Sequence, residues 1–496
     1  MPTTRAMYRR RNARTPCRLT KVVLASFAAL FFVYIASKNT TTKDQQLLRS
    51  NAYNDDSKRC HILNTSTPDD LARLDVLNLK GCSLSNIPNK IQYAINLRHL
   101  DVSENPLLTL PSELVHCTKL DVLFVSSCPS ISSLPPVLGE MPSITRLGWR
   151  SGSLTSIDPN GLPPNLIHLI LTDNQIETLD DARIFQKLKG VRKLMLSHNN
   201  VVNFGNNGGL DQLQSLELLR LAGNNLTEIP AELWKLPKLT WLTISGNPVT
   251  NQPKSKVNAS SIPSITMKDL TSTGKFLGEG ASGLVQLYKW QNKEVAVKLI
   301  HGVTSDGKAE DELSIYSAVG SSGVEYRVVG CLALLDDERK GVVMEPLPSN
   351  LDDFALPPTI VEVTVDRWDE NSTFSASFVR NALRDSASAL NFLHGTIGVS
   401  HGDFYAHNIK VDRSTGRVYL LDFGASFFKG KYATEAEKIE VRAFGVLIGE
   451  LLHLLDPKIE ENELRAKLIS LHSQCTDANV DARPSFADIE AVMMSL

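Results

Sequence analysis

The chain has 496 residues, 42% of them hydrophobic and 21% charged, which sets two or three domains at about 100–200 residues each and excludes disorder over most of its length. Lys plus Arg number 52 against 54 acidic residues, a formal charge of −2, so nothing calls for nucleic acid as a partner. The seven cysteines, Cys17, Cys60, Cys82, Cys117, Cys128, Cys331 and Cys475, contain no C-x-x-C pair, and neither a disulfide scaffold nor a zinc site is expected.

Residues 1–21 form a basic segment; through position 43 the chain holds nine Lys or Arg and no acidic residue. Residues 22–37, VVLASFAALFFVYIAS, carry no charge and are framed by Arg18, Lys21 and Lys38. At helical rise they span about 24 Å, enough for a short membrane anchor if the flanking cations snorkel. A single-pass N-terminal signal anchor is the expectation. A cleaved secretory signal ending near Ile35-Ala36-Ser37 and an Arg-rich presequence are the alternatives. The basic flank favours a cytosolic N-terminus, and the orientation stays open. Sequons stand at Asn39, Asn64, Asn225, Asn258 and Asn371.

Residues 38–70 read as a linker and cap. From 71 to 250 a pattern L-x-x-L-x-L-x-x-N-x-L returns, clearest in LRHLDVSENPL (97–107), LIHLILTDNQI (166–176), VRKLMLSHNNV (191–201) and LELLRLAGNNL (216–226). Units begin near Leu74, Leu97, Leu120, Ile144, Leu166, Val191, Leu216 and Leu239. The pattern resembles the leucine-rich repeat, which implies short parallel strands stacked into a solenoid. Cys82 and Cys128 fall at the Asn position and are assigned no chemistry. One outward column reads Asn78, Asp101, Phe124, Gly148, Ile170, Met195, Arg220 and Thr243. Its apolar members Phe124, Ile170 and Met195, rimmed by Arg146, Arg150, His168 and Lys193, suggest a docking strip for a protein of some acidic character.

Residues 251–264, NQPKSKVNASSIPS, are polar and Pro/Ser-rich, a linker. Residues 277–285, LGEGASGLV, place Gly278, Gly280 and Gly283 in G-x-G-x-x-G spacing, a signal that phosphate-binding loops of several folds share. EVAVKL (294–299) then reads as a strand ending near Lys298, where a dinucleotide fold would begin a helix. HGDFYAHN (401–408) and Asp422-Phe423-Gly424 follow. These motifs, in this order, resemble the eukaryotic-type protein kinase catalytic domain over residues 265–496. The implied fold class is multidomain: an α/β leucine-rich-repeat solenoid, then a two-lobed α+β kinase-like domain, after an N-terminal hydrophobic helix.

The resemblance implies ATP and Mg²⁺ as cofactors and a protein substrate, with phosphate transferred to a hydroxyl, serine/threonine type preferred. The nucleotide would meet Leu277, Gly278, Glu279, Gly280, Ala281, Ser282, Gly283, Val285 and Lys298, with the hinge at Glu345 and Leu347 against adenine. Glu312, with Glu310 as runner-up, would hold Lys298; Asp403 would accept the hydroxyl proton; Asn408 and Asp422 would bind metal. Several positions depart from the pattern. Gly402 stands for the usual Arg, Tyr405 for a phosphate-neutralising Lys, Glu440 for the Asp that anchors the catalytic loop, and Arg483 lacks an evident glutamate partner, Glu435 and Glu437 being the guesses. Only fifteen residues separate Gly424 from Glu440, without A-P-E. A pseudokinase scaffold and a small-molecule phosphotransferase are the rival readings.

Overall fold

In each repeat the pattern leucines point inward: Leu97, Leu100, Val102 and Leu107 are fully buried. The asparagine of the pattern closes the turn. Asn105 donates through Nδ2 to Leu79 O and Val102 O, both at 2.8 Å, and accepts from Leu84 N at 2.9 Å, which satisfies backbone groups that stacking would otherwise leave buried and unpaired. Asn174, Asn199, Asn224 and Asn247 repeat the arrangement.

The protein is described here by a computed structural model covering residues 56–496 apart from 206–207, 251–261, 281, 301, 303, 305, 370–371 and 457–461. The basic segment, the expected anchor at 22–37 and most of the 251–264 linker lie outside the described residues. Among the described residues no helix is long and apolar enough to cross a membrane.

Two helices, α1 (Asp56–Thr65) and α2 (Pro68–Ala72), precede the repeats; Thr67 and Asp70 form a capping box at the start of α2. Cys60 on α1 is disulfide-bonded to Cys82 of the first repeat, with Cα atoms 5.2 Å apart. This corrects the reading of Cys82 as a simple filler of the Asn position: the cap brings a second thiol to it. Cys117, Cys128, Cys331 and Cys475 are buried free thiols. The eight repeats supply one parallel sheet in chain order, β1 (Val76–Asn78), β2 (His99–Asp101), β3 (Val122–Phe124), β4 (Arg146–Gly148), β5 (His168–Ile170), β6 (Lys193–Met195), β7 (Leu218–Arg220) and β8 (Trp241–Thr243). Return legs are mostly 3₁₀ turns, with one short helix, α3 (Ala182–Lys187).

A mixed α/β region follows. β9 (Ser264–Ile265), β10 (Thr271–Glu279), β11 (Gly283–Trp290), β12 (Lys293–Ile300), β13 (Cys331–Leu335) and β14 (Gly341–Met344) form a six-stranded sheet, with α4 (Ala309–Val319) after β12. Alternation on β12 sends Val295, Val297 and Leu299 to one core and Ala296 and Ile300 to another, so Lys298 lies on the face shared with Ala296 and Ile300. Beyond β14 come β15 (Leu351–Asp353), α5 (Ala376–Asn391), β16 (Val399–Ser400), β17 (Ile409–Asp412), β18 (Val418–Leu420), β19 (Phe427–Phe428), α6 (Ala433–Leu454), α7 (Asn462–Cys475) and α8 (Phe486–Met494). Ser375 caps α5 by accepting from Phe378 N, and Val379, Ala382, Leu383, Ala387 and Leu390 bury one face of it.

Repeats and α/β region belong to one compact unit running from Asp55 to Leu496. Their cores interpenetrate. Phe427, Ala436, Ile439 and Val480 belong to the hydrophobic core of the repeats, while Leu218 and Trp241 belong to that of the α/β region.

Candidate active site

The β10–β11 hairpin closes tightly, Gly280 N donating to Gly283 O at 2.9 Å. A Cβ on Gly283 would lie 2.4 Å from Leu299 O, whereas one on Gly278 or Gly280 would meet nothing within 4 Å. Gly283 is thus demanded by strand packing; the other two leave open room above the hairpin. Leu277 and Glu279 are exposed, Ser282 is buried, Val285 is half-buried, and Ala281 lies outside the described residues. Glu345 and Leu347 follow β14 as irregular chain beside the buried Met344.

On α4, Glu312 shares the buried face with Ile315, Tyr316 and Val319, while Glu310 does not; helical spacing makes that selection. Glu312 Oε1 lies 2.6 Å from Lys298 Nζ, and Asp422 Oδ1 lies 3.0 Å from the same nitrogen. Asp422 sits at φ +63°, in the left-handed region, where a residue other than glycine is held only by its surroundings. Its carboxylate accepts from Ser282 Oγ at 3.1 Å and from Gly424 N at 3.1 Å. Burial alone would raise the Asp422 carboxyl, but Lys298 brings it down to about 2. Burial also works against the charge on Lys298, yet Asp422, Tyr316 and Glu312 hold its pKa above the usual value. Glu312 is pushed up to about 7 by burial, against the pull of Lys298.

The loop between β16 and β17 carries Asp403 and Asn408. Asn408 Nδ2 donates to Asp403 O at 2.8 Å and to Asp403 Oδ2 at 3.0 Å. Glu440, on α6, anchors the loop: it accepts from His401 N at 2.9 Å and Gly402 N at 2.7 Å and meets His394 Nε2 at 2.5 Å. Leu421 N donates to Asn408 O at 3.0 Å, so the Asn408 and Asp422 backbones are tied one residue apart. The expected set Lys298, Glu312, Asp403, Asn408 and Asp422 is therefore brought to one place. Asn408 commits its amide nitrogen to Asp403, which leaves the amide oxygen, with the Asp422 carboxylate, as hard donors suited to Mg²⁺. Among the described residues there is no cluster of three or more His, Cys, Asp or Glu side chains that could hold a metal ion.

The repeats enter this site. Arg220, at the end of β7 and fully enclosed, pairs with Asp403 Oδ1, lies 3.1 Å from Asp306 Oδ1 through Nε, and donates from Nη1 to Gly402 O at 3.2 Å. Burial would raise the Asp403 carboxyl, but Arg220 and His407 hold it below the usual carboxylate range. Trp241 of β8 stacks on Tyr405, centroids 3.9 Å apart and 4° from parallel, and its Nε1 donates to Phe404 O at 2.9 Å. Gly402 has φ +76°, and a Cβ there would fall 2.5 Å from Ala425 O and 2.9 Å from Leu242 O, the latter on β8. Glycine at 402 thus follows from its left-handed backbone and from two close carbonyls, the nearer in the α/β region and the other in the repeats: no side chain fits there.

Arg483 corrects another expectation. It is buried and donates to the carbonyls of Asp477, Lys438 and Pro237, at 3.0, 2.9 and 2.8 Å, with no glutamate engaged, while Glu437 accepts from Phe486 N. The expected docking strip is also partly filled from within: Met195 packs on the core of the α/β region, and Arg146 Nε donates to Ile360 O at 2.7 Å. Phe124 and Ile170 are half-buried. Sequence reasoning placed Arg220 in an outward column but gave it no role.

Leucine-rich-repeat models match residues 164–226 and 189–249, and a single-repeat model matches 96–117. The chain carries leucine-rich repeats followed by a mixed α/β region. Over 288 residues it is 27% identical to dual specificity protein kinase shkD of Dictyostelium discoideum, covering 48% of this chain and 36% of that protein. It is 32% identical over 161 residues to keratocan of Danio rerio, covering 27% and 45%, and 23% identical over 217 residues to adenylate cyclase of Schizosaccharomyces pombe, covering 40% and 13%. The chain spans less than half the length of each of these relatives.

Proposed function

We propose that the protein is an ATP- and Mg²⁺-dependent protein kinase, serine/threonine in acceptor type, whose repeats act as a protein-binding module. The observation that carries this reading is the convergence at Lys298: Glu312 at 2.6 Å and Asp422 at 3.0 Å, beside an Asp403 tied to Asn408. Lys298, kept charged by two carboxylates, binds the α- and β-phosphates; the β10–β11 hairpin covers them with backbone N–H groups. Mg²⁺, when bound at Asn408 and Asp422, supplies neutralisation of phosphate charge. Asp403 orients the acceptor hydroxyl. As the oxygen–phosphorus bond forms, the bond from the γ-phosphorus to its bridging oxygen breaks, the electron pair leaves with ADP, and the hydroxyl proton passes to Asp403.

A second reading, a small-molecule phosphotransferase, is favoured by one observation: β7 and β8 cover the catalytic loop on the side of Tyr405 and Asp403, which narrows the approach for a folded protein acceptor. The test is Mg-dependent ADP release from ATP by the full chain beside its Asp403→Asn variant. The kinase reading predicts at least about 100-fold faster release by the unaltered chain. Equal, background release by both leaves the pseudokinase scaffold. Activity on small hydroxyl compounds but on no protein selects the second reading.

For location, the proposal is a single-pass anchor at residues 22–37 with the described unit in an oxidising compartment; the Cys60–Cys82 disulfide supports that side. Asn64 and Asn225 are exposed sequons. An endoglycosidase mobility shift is the expected outcome, and an unshifted band would place the unit in the cytosol.

A further inference from the structure

The catalytic loop reads HGDFYAHN, with glycine at 402 and tyrosine at 405, and so lacks both cations that its pattern would supply next to Asp403. One guanidinium nevertheless reaches that aspartate, and it comes from the repeats: Arg220 contacts Asp403 Oδ1, Gly402 O and Asp306 Oδ1 together. We propose that Arg220 is a positioning residue of the transfer site, fixing the Asp403 carboxylate with a guanidinium that the repeats, and not the loop, supply. This rests on the phosphotransfer reading above.

Three features set this arrangement apart from a releasable brake. The two cores exchange members, Trp241 and Leu218 in one direction and Phe427, Ala436, Ile439 and Val480 in the other, so lifting the repeats away would expose the interior of both halves. Gly402 is enclosed from both halves, its would-be Cβ 2.5 Å from Ala425 O and 2.9 Å from Leu242 O of β8, so the repeats pack directly on the backbone of the loop. The bond set is also complementary. Arg220 takes Oδ1 and Asn408 Nδ2 takes Oδ2 at 3.0 Å, which holds the carboxylate plane from both ends and leaves each oxygen a second lone pair for the acceptor hydroxyl. The three contacts come from three different nitrogens of one planar guanidinium, Nη2, Nη1 and Nε, a spread that the single nitrogen of an ammonium does not reproduce.

The test uses the full chain, measuring Mg-dependent ADP release from ATP in Arg220→Ala and Arg220→Lys. For Arg220→Ala the expected result is a kcat about 100-fold lower, a KM for ATP within about threefold of the unaltered chain, and recovery of at least about tenfold on adding millimolar guanidinium. Arg220→Lys, which keeps charge and length, is read in its place if Arg220→Ala is recovered unfolded; a loss of about tenfold in kcat is expected for it. Either variant turning over at or above the unaltered rate overturns the proposal, a faster rate marking Arg220 as a brake. A failure of the phosphotransfer reading looks different: the unaltered chain would itself release ADP no faster than Asp403→Asn.

Discussion

Replacing Gly402 by alanine tests a close approach that both halves make to one position of the 401–408 loop. Gly402 has φ +76°, and its new Cβ would lie 2.5 Å from Ala425 O and 2.9 Å from Leu242 O. Both are backbone atoms with no rotamer through which to yield. The left-handed backbone alone costs a non-glycine residue about 1–2 kcal/mol, and overpacking against fixed neighbours adds about 1–3 kcal/mol. Gly402→Ala is therefore expected to lose about 2–5 kcal/mol, a large share of the roughly 5–15 kcal/mol that holds a domain together. Gly398 provides the control within the same chain: its φ is +78° and nothing lies within 4 Å of its would-be Cβ, so Gly398→Ala pays the backbone cost only. Urea unfolding of both variants of the full chain, followed by tryptophan fluorescence, reads the difference. A loss for Gly402→Ala no greater than that for Gly398→Ala would refute the close packing of Ala425 O and Leu242 O around position 402.

Acidification offers a second handle. His168 is buried with neither ring nitrogen hydrogen-bonded, and burial, then Lys193 and Arg146, hold its pKa well below 6.5. Below pH 6.5 the unfolded chain takes up a proton that the folded chain refuses, so stability falls as pH drops, by up to about 1.4 kcal/mol per unit from this site; His168→Leu should flatten that slope in urea titrations between pH 6.5 and 5, and an unchanged slope would remove His168 as its source. The Cys60–Cys82 bond closes a loop with a sequence separation of 22, worth about 3 kcal/mol in loop entropy; reductant should lower the melting temperature of the unaltered chain but leave Cys60→Ser/Cys82→Ser unmoved. Gly283→Ala, whose Cβ would meet Leu299 O at 2.4 Å, should lower the melting temperature, while Gly278→Ala, with open space, should not; differential scanning calorimetry separates the two.

What could be read from the sequence follows its periodicities. The eight strands were legible because leucines such as Leu100 and the asparagines beside them recur with the turn they close, and each repeat meets mainly its neighbours. Glu312 was separable from Glu310 because a helix buries positions three, four and seven apart. The gathering of Lys298, Asp403, Asn408 and Asp422 was legible through motif order alone. Pairings across domains left no such trace. Arg220 and Asp403 are 183 positions apart, and nothing local to either announces the other. Arg483 finds three carbonyls, one of them Pro237 O in the repeats, and backbone acceptors carry no residue identity. Cys60 lies in a cap outside the repeat period, so in the sequence its partner Cys82 reads only as an Asn substitute.

The claim beneath the rest is that Lys298 and Asp422 form one nucleotide site in the intact chain. Isothermal titration of the full chain with ATP in the presence of Mg²⁺ measures it directly. One binding event per chain is expected, weakened by at least about tenfold in both Lys298→Met and Asp422→Asn. Absence of binding to the unaltered chain, or unchanged affinity in both variants, would contradict it.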